Sequence, residues 1–120
     1  MKKANPASPE LINTIRFLKK SARENNAKIW RNVAEVLLRT RRKRIAINLS
    51  RVNRYTKEGE TVAVPGKVLA AGEIDHPVTV SALAFSRQAI KKIEKAKGKC
   101  LSYKELLKKN PKGTRVRIIG

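Results

Sequence analysis

The densest chemistry-bearing stretch of this sequence is Arg39-Thr40-Arg41-Arg42-Lys43-Arg44. A planar guanidinium clamps two phosphate oxygens with parallel bonds and stacks on bases, so such a run suits a phosphodiester backbone. Arg51 and Arg54 continue the basic character, and Tyr55 beside Arg54 is a candidate base stacker. Lys67, Arg87, Lys91, Lys95, Arg115 and Arg117 are further candidates. They rank lower, because an exposed helix face carries lysine without needing a ligand.

Catalysis has little to work with. His76 is the single histidine, set between Asp75 and Pro77 in what reads as a surface turn. None of Ser81, Ser86 and Cys100 lies in a recognisable nucleophile setting. Cys100 reads as a small buried apolar residue, and one His with one Cys cannot make the usual structural zinc site. Pro65-Gly66-Lys67 lacks the spacing that wraps backbone amides around a polyphosphate. No enzyme, cofactor, metal or small-molecule substrate is expected.

Bulk charge points the same way as the Arg-rich run. The chain has 29 Lys+Arg against 9 Asp+Glu, a net charge of +20, and neither half holds the excess alone. Solubility needs a net charge of only about 2 to 8 on a small domain. Heat adaptation would bring matching Glu. Unpaired charge on this scale repels itself in the folded state, so a polyanionic partner is expected. Aromatic residues make up 4% and are scattered. Single-strand binders line up aromatics, so backbone and shape recognition of structured RNA fits better.

Elements that could position these side chains follow from periodicity. The length of 120 residues fits one domain, and 41% hydrophobic residues supply a core. Ser8-Pro9-Glu10 reads as a helix start, with Leu11, Ile15, Leu18 and Ala22 at helical spacing and Arg16, Lys20 and Arg23 on a flank. A second helix over about 28–39 puts Ile29, Trp30, Val33, Val36 and Leu37 inward, and Trp30 reads as core. The two make a helical hairpin over about 8–40. A basic segment and strand over 41–60 follows, with Ile45, Ile47 and Leu49 alternating and Arg51 and Arg54 extending along the strand.

Residues 61–120 read as a mixed α/β body of short strands alternating with helices, so the expected class is α+β or mixed α/β. Thr61-Val62-Ala63-Val64 is a short strand stopped by Pro65-Gly66, Val68-Leu69 another, and Val78-Thr79-Val80-Ser81-Ala82 a third. Ser86 caps a helix with Ala89, Ile90, Ile93 and Ala96 inward and Lys91, Lys92 and Lys95 opposite; Gly98 ends it as a left-handed cap. Ser102 and Glu105 form a capping box, with Leu101 and Leu106 as its staple. Val116-Arg117-Ile118-Ile119 is strand-like. The opening residues carry no apolar run, so no signal peptide is expected, and no stretch reaches the roughly 18 apolar residues of a membrane span. The lone cysteine suits a reducing, cytoplasmic setting.

Residue order goes further than composition. Val64-Pro65-Gly66-Lys67-Val68-Leu69, His76-Pro77-Val78-Thr79-Val80-Ser81-Ala82, Phe85-Ser86-x-x-Ala89 and Val116-Arg117-Ile118-Ile119-Gly120 resemble the archaeal and eukaryotic large-subunit ribosomal protein eighteen-e family. Lys67-Val68-Leu69-Ala70-Ala71-Gly72, then Phe85, Ala89, Ile93 and Gly98, fit the signature this family shares with bacterial large-subunit protein fifteen. The similarity covers essentially the whole chain and matches the compact archaeal form. Two departures are Ala70-Ala71, where Gly or Gly-Asp is common, and Lys97, where Gly is frequent. Gly66, Gly72, Phe85 and Ala89 are read as scaffold rather than RNA ligands.

The resemblance implies a structural constituent of the large ribosomal subunit. Its expected partners are large-subunit ribosomal RNA and neighbouring ribosomal proteins, in the cytoplasm and without a membrane. An architectural DNA-binding protein is the alternative, distinguished by tight binding to generic duplex DNA. Replacing Arg41, Arg42 and Arg44 by Ala is expected to impair incorporation more than replacing Lys91 and Lys95. Residues 1–7 are expected to order only on RNA.

Overall fold

The computed structural model describes residues 9–39 and 46–119. Helix α1 (Pro9–Asn25) buries Leu11, Ile15, Leu18 and Ala22, the expected stripe. Helix α2 (Lys28–Arg39) buries Trp30, Val33, Ala34 and Leu37. Asn26 closes the link between them in the left-handed region (φ 51°), and Ala27 N–H bonds Ala22 O at 3.0 Å. The hairpin is therefore present. The Ser8 cap, Ile45, and the expectations for residues 1–7 and 41–44 lie outside the described residues.

Strand β1 (Ala46–Asn48) passes directly into helix α3 (Leu49–Tyr55). Strands β2 (Thr61–Leu69) and β3 (Thr79–Phe85) form the sheet centre. Helix α4 (Arg87–Lys95), strand β4 (Lys99–Leu101), helix α5 (Tyr103–Lys109) and strand β5 (Val116–Ile118) complete the chain. The five strands are parallel. β3 covers one edge of β2; β1 and β5 share the other, β1 along its C-terminal half and β5 along its N-terminal half.

A parallel sheet is stable when both faces are covered. Ala63 belongs to a core with α1, α2 and α5, whereas Val62, Val64, Val68, Val80 and Ala82 belong to a second core with α3 and α4. Neighbouring strand residues point to opposite faces. The molecule is thus helix layer, sheet, helix layer. Trp30 is fully buried, and its indole N–H donates to Pro111 O at 2.7 Å, tying the hairpin to the turn before β5.

Four expectations need correction. Pro65-Gly66 does not stop a strand: β2 continues to Leu69, with a bulge between Val64 and Lys67. The buried Tyr103 hydroxyl donates to Val64 O at 2.6 Å, satisfying a carbonyl at the irregularity. Arg51 and Arg54 lie on α3 and not on an extended strand, because Leu49 and Val52 need helical spacing to share the second core. Gly98 is not the left-handed residue after α4. Lys97 is (φ 67°), its N–H bonding Glu94 O and the Gly98 N–H bonding Ile93 O. Gly98 is small for another reason: a Cβ there would stand 2.4 Å from Val78 O.

His76 is the fourth correction. Its side chain is 15% exposed, not a free surface group. Nδ1 lies 2.8 Å from Asp75 Oδ1 and Nε2 lies 2.7 Å from Thr56 Oγ1, while the Thr56 hydroxyl also reaches Val52 O at 2.7 Å. The ring ties the loop before β3 to the end of α3. It is structural.

Candidate nucleic-acid interface

Helix α4 carries Arg87, Lys91 and Lys95 at intervals of four residues, all exposed, while Ala89 and Ile93 are buried. At 1.5 Å rise per residue the three cations are spaced about 6 Å apart along the axis. Like charges four apart cost a helix roughly 0.2–0.5 kcal/mol per pair in water. Arg87 also stands in the first turn, beside the positive end of the helix dipole. The Ser86 side chain, accepting from Ala89 N–H at 3.2 Å, holds that turn in place.

Helix α3 presents Arg51, Arg54 and Tyr55 to solvent. The Arg51 guanidinium sits over the Tyr55 ring, 5.5 Å from its centroid, and Tyr55 is 45% exposed. Lys67 on β2 is exposed and has Ala46 and Ala84 as its register partners, both exposed as well. No bulky side chain on either neighbouring strand shields it.

The loop after β2 joins these elements. Ser50 N–H at the start of α3 bonds Ala71 O at 3.0 Å, and Ser86 N–H before α4 bonds Val68 O at 3.0 Å. Lys92 Nζ bonds Gly72 O at 2.8 Å and Ala70 O at 3.0 Å, with Glu73 at 3.7 Å. Gly72 is left-handed (φ 94°), and a Cβ there would meet Ser50 Cβ at 2.5 Å. Arg51, Lys67, Arg87 and Lys91 are thus gathered at the end of the sheet where β1, β2 and β3 finish.

Other candidates are not gathered there. Arg117 lies on β5 beside the opposite half of β2, with Nη1 3.5 Å from Glu60 Oε1, and Arg115 precedes it in the left-handed region (φ 62°). Arg39 is exposed at the end of α2. Arg41, Arg42, Lys43 and Arg44 lie outside the described residues. A second basic group was not ranked from sequence: Lys19 and Arg23 on α1 with Lys28 and Arg31 on α2 line one groove. Their spacings of four and three residues put each pair on one helix face, which was the available signal.

Among the described residues, carboxylates within 4.0 Å of Lys or Arg occur at Lys20–Glu24, Arg31–Glu35, Lys92–Glu73 and Arg117–Glu60. Every other described Lys and Arg lacks such a neighbour, so most of the positive charge is uncompensated within the chain. Burial, with a smaller effect of Glu94, pushes the half-buried Cys100 thiol up to about 11, so it stays protonated and unreactive at neutral pH. Among the described residues no group of three His, Cys, Asp or Glu comes together as a metal site. No described helix is long and apolar enough to cross a membrane.

Comparison with known proteins agrees with the basic surface. The profile of a family described as ribosomal protein 60S L18 and 50S L18e matches residues 1–120. The chain is 50% identical over 112 residues to the large ribosomal subunit protein eL18 of Methanoregula boonei, covering 93% of each chain. It is 48% identical over 113 residues to that of Methanospirillum hungatei, covering 94% of this chain and 93% of the relative. With the Methanothermobacter thermautotrophicus protein it shares 44% over 119 residues, 99% of this chain and 98% of the relative.

Proposed function

From the premise that this chain belongs to the family of ribosomal proteins 60S L18 and 50S L18e, we propose that it holds large-subunit ribosomal RNA through Lys and Arg contacts to phosphates and so stabilises the particle. Members of this family are structural proteins of the ribosome, not enzymes. The observation that carries the RNA-contact reading is the Arg87–Lys91–Lys95 row on α4, three exposed cations with no carboxylate within reach. Arg51, Arg54, Tyr55 and Lys67 extend that surface. The run at 39–44 belongs to the reading on its composition, and Arg115 and Arg117 on theirs. Neighbouring large-subunit proteins are further partners in the particle, and the setting is the cytoplasm.

Each phosphate neutralised releases counterions, which drives association. The backbone of a folded RNA offers many such phosphates close together, and cations placed between converging strands offset their repulsion. The test is binding of the full chain to large-subunit ribosomal RNA across a salt series, with a generic DNA duplex as competitor. Replacing Arg87, Lys91 and Lys95 together by Gln should reduce the slope of log affinity against log salt by about 2 to 3. An unchanged slope overturns the contact assignment. Equal affinity for the DNA duplex at physiological salt overturns the choice of RNA.

A further inference from the structure

The helix layer opposite α4 has its own basic surface. Where α1 ends and α2 begins, a groove of about 590 Å³ is lined by Lys19, Arg23, Lys28 and Arg31, with Ala22 and Ala27 as small apolar neighbours. Glu35, also on the groove, lies 3.9 Å from Arg31 Nε, but both side chains are more than half exposed. An exposed pair of this kind holds little energy and leaves the terminal nitrogens of the guanidinium able to donate. Lys19, Arg23 and Lys28 have no carboxylate within 4.0 Å among the described residues.

We propose that this groove grips the phosphodiester backbone of a second RNA segment, so that the protein clamps two RNA segments on opposite faces of its sheet. The inference rests on the RNA-binding reading of the α4 surface and adds a distinct site to it. Geometry separates the two sites. α1 and α2 pack on the Ala63 face of the sheet, and α4 packs on the Val62 and Val64 face. One RNA helix lying along α4 leaves the α1–α2 groove free for another.

The lining also selects the occupant. An acidic protein segment docking on a helix pair needs apolar anchors to bind well. Here the apolar lining is Ala22 and Ala27, whose methyl groups anchor nothing but leave depth. Two lysines and two arginines around a shallow, small-residue floor fit phosphate groups, Arg pairing two oxygens and Lys acting as a point charge. The turn is firm enough to keep these cations in register: Asn26 N–H bonds Arg23 O, and Trp30 N–H bonds Ala27 O.

The experiment uses the full chain and one probe, a blunt RNA duplex of about 16 base pairs, prepared in donor-labelled and acceptor-labelled batches. Wild-type protein should bring two duplexes together and produce energy transfer. The groove variant combines Lys19→Gln, Arg23→Gln, Lys28→Gln and Arg31→Gln; the α4 variant combines Arg87→Gln, Lys91→Gln and Lys95→Gln. Each should still bind one duplex while energy transfer falls to the level of free duplexes, with total affinity roughly tenfold weaker.

A groove variant that bridges as well as wild type overturns this inference and leaves the α4 reading standing. Failure of the wild type to bind duplex at about 0.1 M salt removes the RNA reading itself. Binding of poly-glutamate that the groove substitutions abolish, with duplex bridging unchanged, makes the groove a protein-docking surface and also overturns the inference. Far-UV circular dichroism checks each variant. If the fourfold change unfolds the hairpin, the pairs Lys19→Gln with Arg31→Gln and Arg23→Gln with Lys28→Gln are read by the same criteria.

Discussion

Lys92 Nζ stands 2.8 Å from Gly72 O, and this bond gives Lys92 a role different from its neighbours on α4. A second bond to Ala70 O and the Glu73 carboxylate complete a clamp on the loop after β2. Lys91 and Lys95, one residue before and three after it, have no such partners and face solvent.

Lys92→Met should therefore destabilise the fold by roughly 1 kcal/mol, a charge-assisted bond discounted for its partial exposure. Lys91→Met should change stability by less than about 0.5 kcal/mol. Urea unfolding of the two variants checks the contrast. In RNA binding the order should reverse, with Lys91→Met lowering the salt slope and Lys92→Met leaving it nearly unchanged.

Tyr103→Phe should cost about 1–3 kcal/mol, because it leaves Val64 O buried without its donor. Burial pushes the phenol far above its ordinary range, so the hydroxyl remains a donor throughout the pH range in which the protein is handled. Equal stability of Tyr103→Phe and wild type in denaturant would remove this bond from the account of the bulge.

Lys97→Gly should stabilise the protein by about 1 kcal/mol or somewhat less. An L-residue in the left-handed region costs roughly 1–2 kcal/mol, offset in part by the greater unfolded-state freedom of Gly. Thermal unfolding reads the effect as a higher Tm. Lys97 is also where the sequence departs from a frequent Gly in the family it resembles.

Two carboxyls should shape the acid limb of stability. The hydrogen bond from His76, with a second from Asn53, holds Asp75 below its ordinary 3.8. The Ser102 backbone N–H and side chain hold Glu105 below its ordinary 4.5. A depressed folded-state value contributes stability that is present above the unfolded value and lost as pH falls through the folded one. Asp75→Asn and Glu105→Gln should thus reduce stability at neutral pH and flatten its decline below about pH 4. Denaturant unfolding at a series of pH values checks both; an unaltered acid limb would contradict them.

Ser81 Oγ is a buried side-chain polar atom with no hydrogen-bond partner. Ser81→Ala should be neutral or stabilising by up to about 1 kcal/mol, since it removes a desolvated hydroxyl without opening a large cavity. A loss above about 1 kcal/mol in urea unfolding would show that the hydroxyl has a partner.

Much of the local structure was legible in residue order. The Ser102–Glu105 capping box, the Ser86 cap and the apolar stripes of the hairpin use contacts within one or two turns, and all are present. The short β4 was not foreseen, since three residues between a helix and a cap carry too little pattern. Nor was β2 as one strand. Pro65-Gly66 is locally a turn signal, and only pairing with β3 on one side, β1 and β5 on the other, with Tyr103 from α5, makes a bulge the better outcome.

By itself the sequence determined the polyanion-seeking charge, the helical hairpin, the caps and the family, because these depend on composition, on short-range periodicity and on residue order. Tertiary structure decided which cations are free to act. Lys91, Lys92 and Lys95 are alike in sequence, yet Lys92 is held by carbonyls some twenty residues away. Lys19 and Lys28 share a groove only because Asn26 turns the chain back on itself. A hydrogen bond or a shared groove requires proximity of distant residues, and the register of packed elements sets that proximity, not the residues' own preferences.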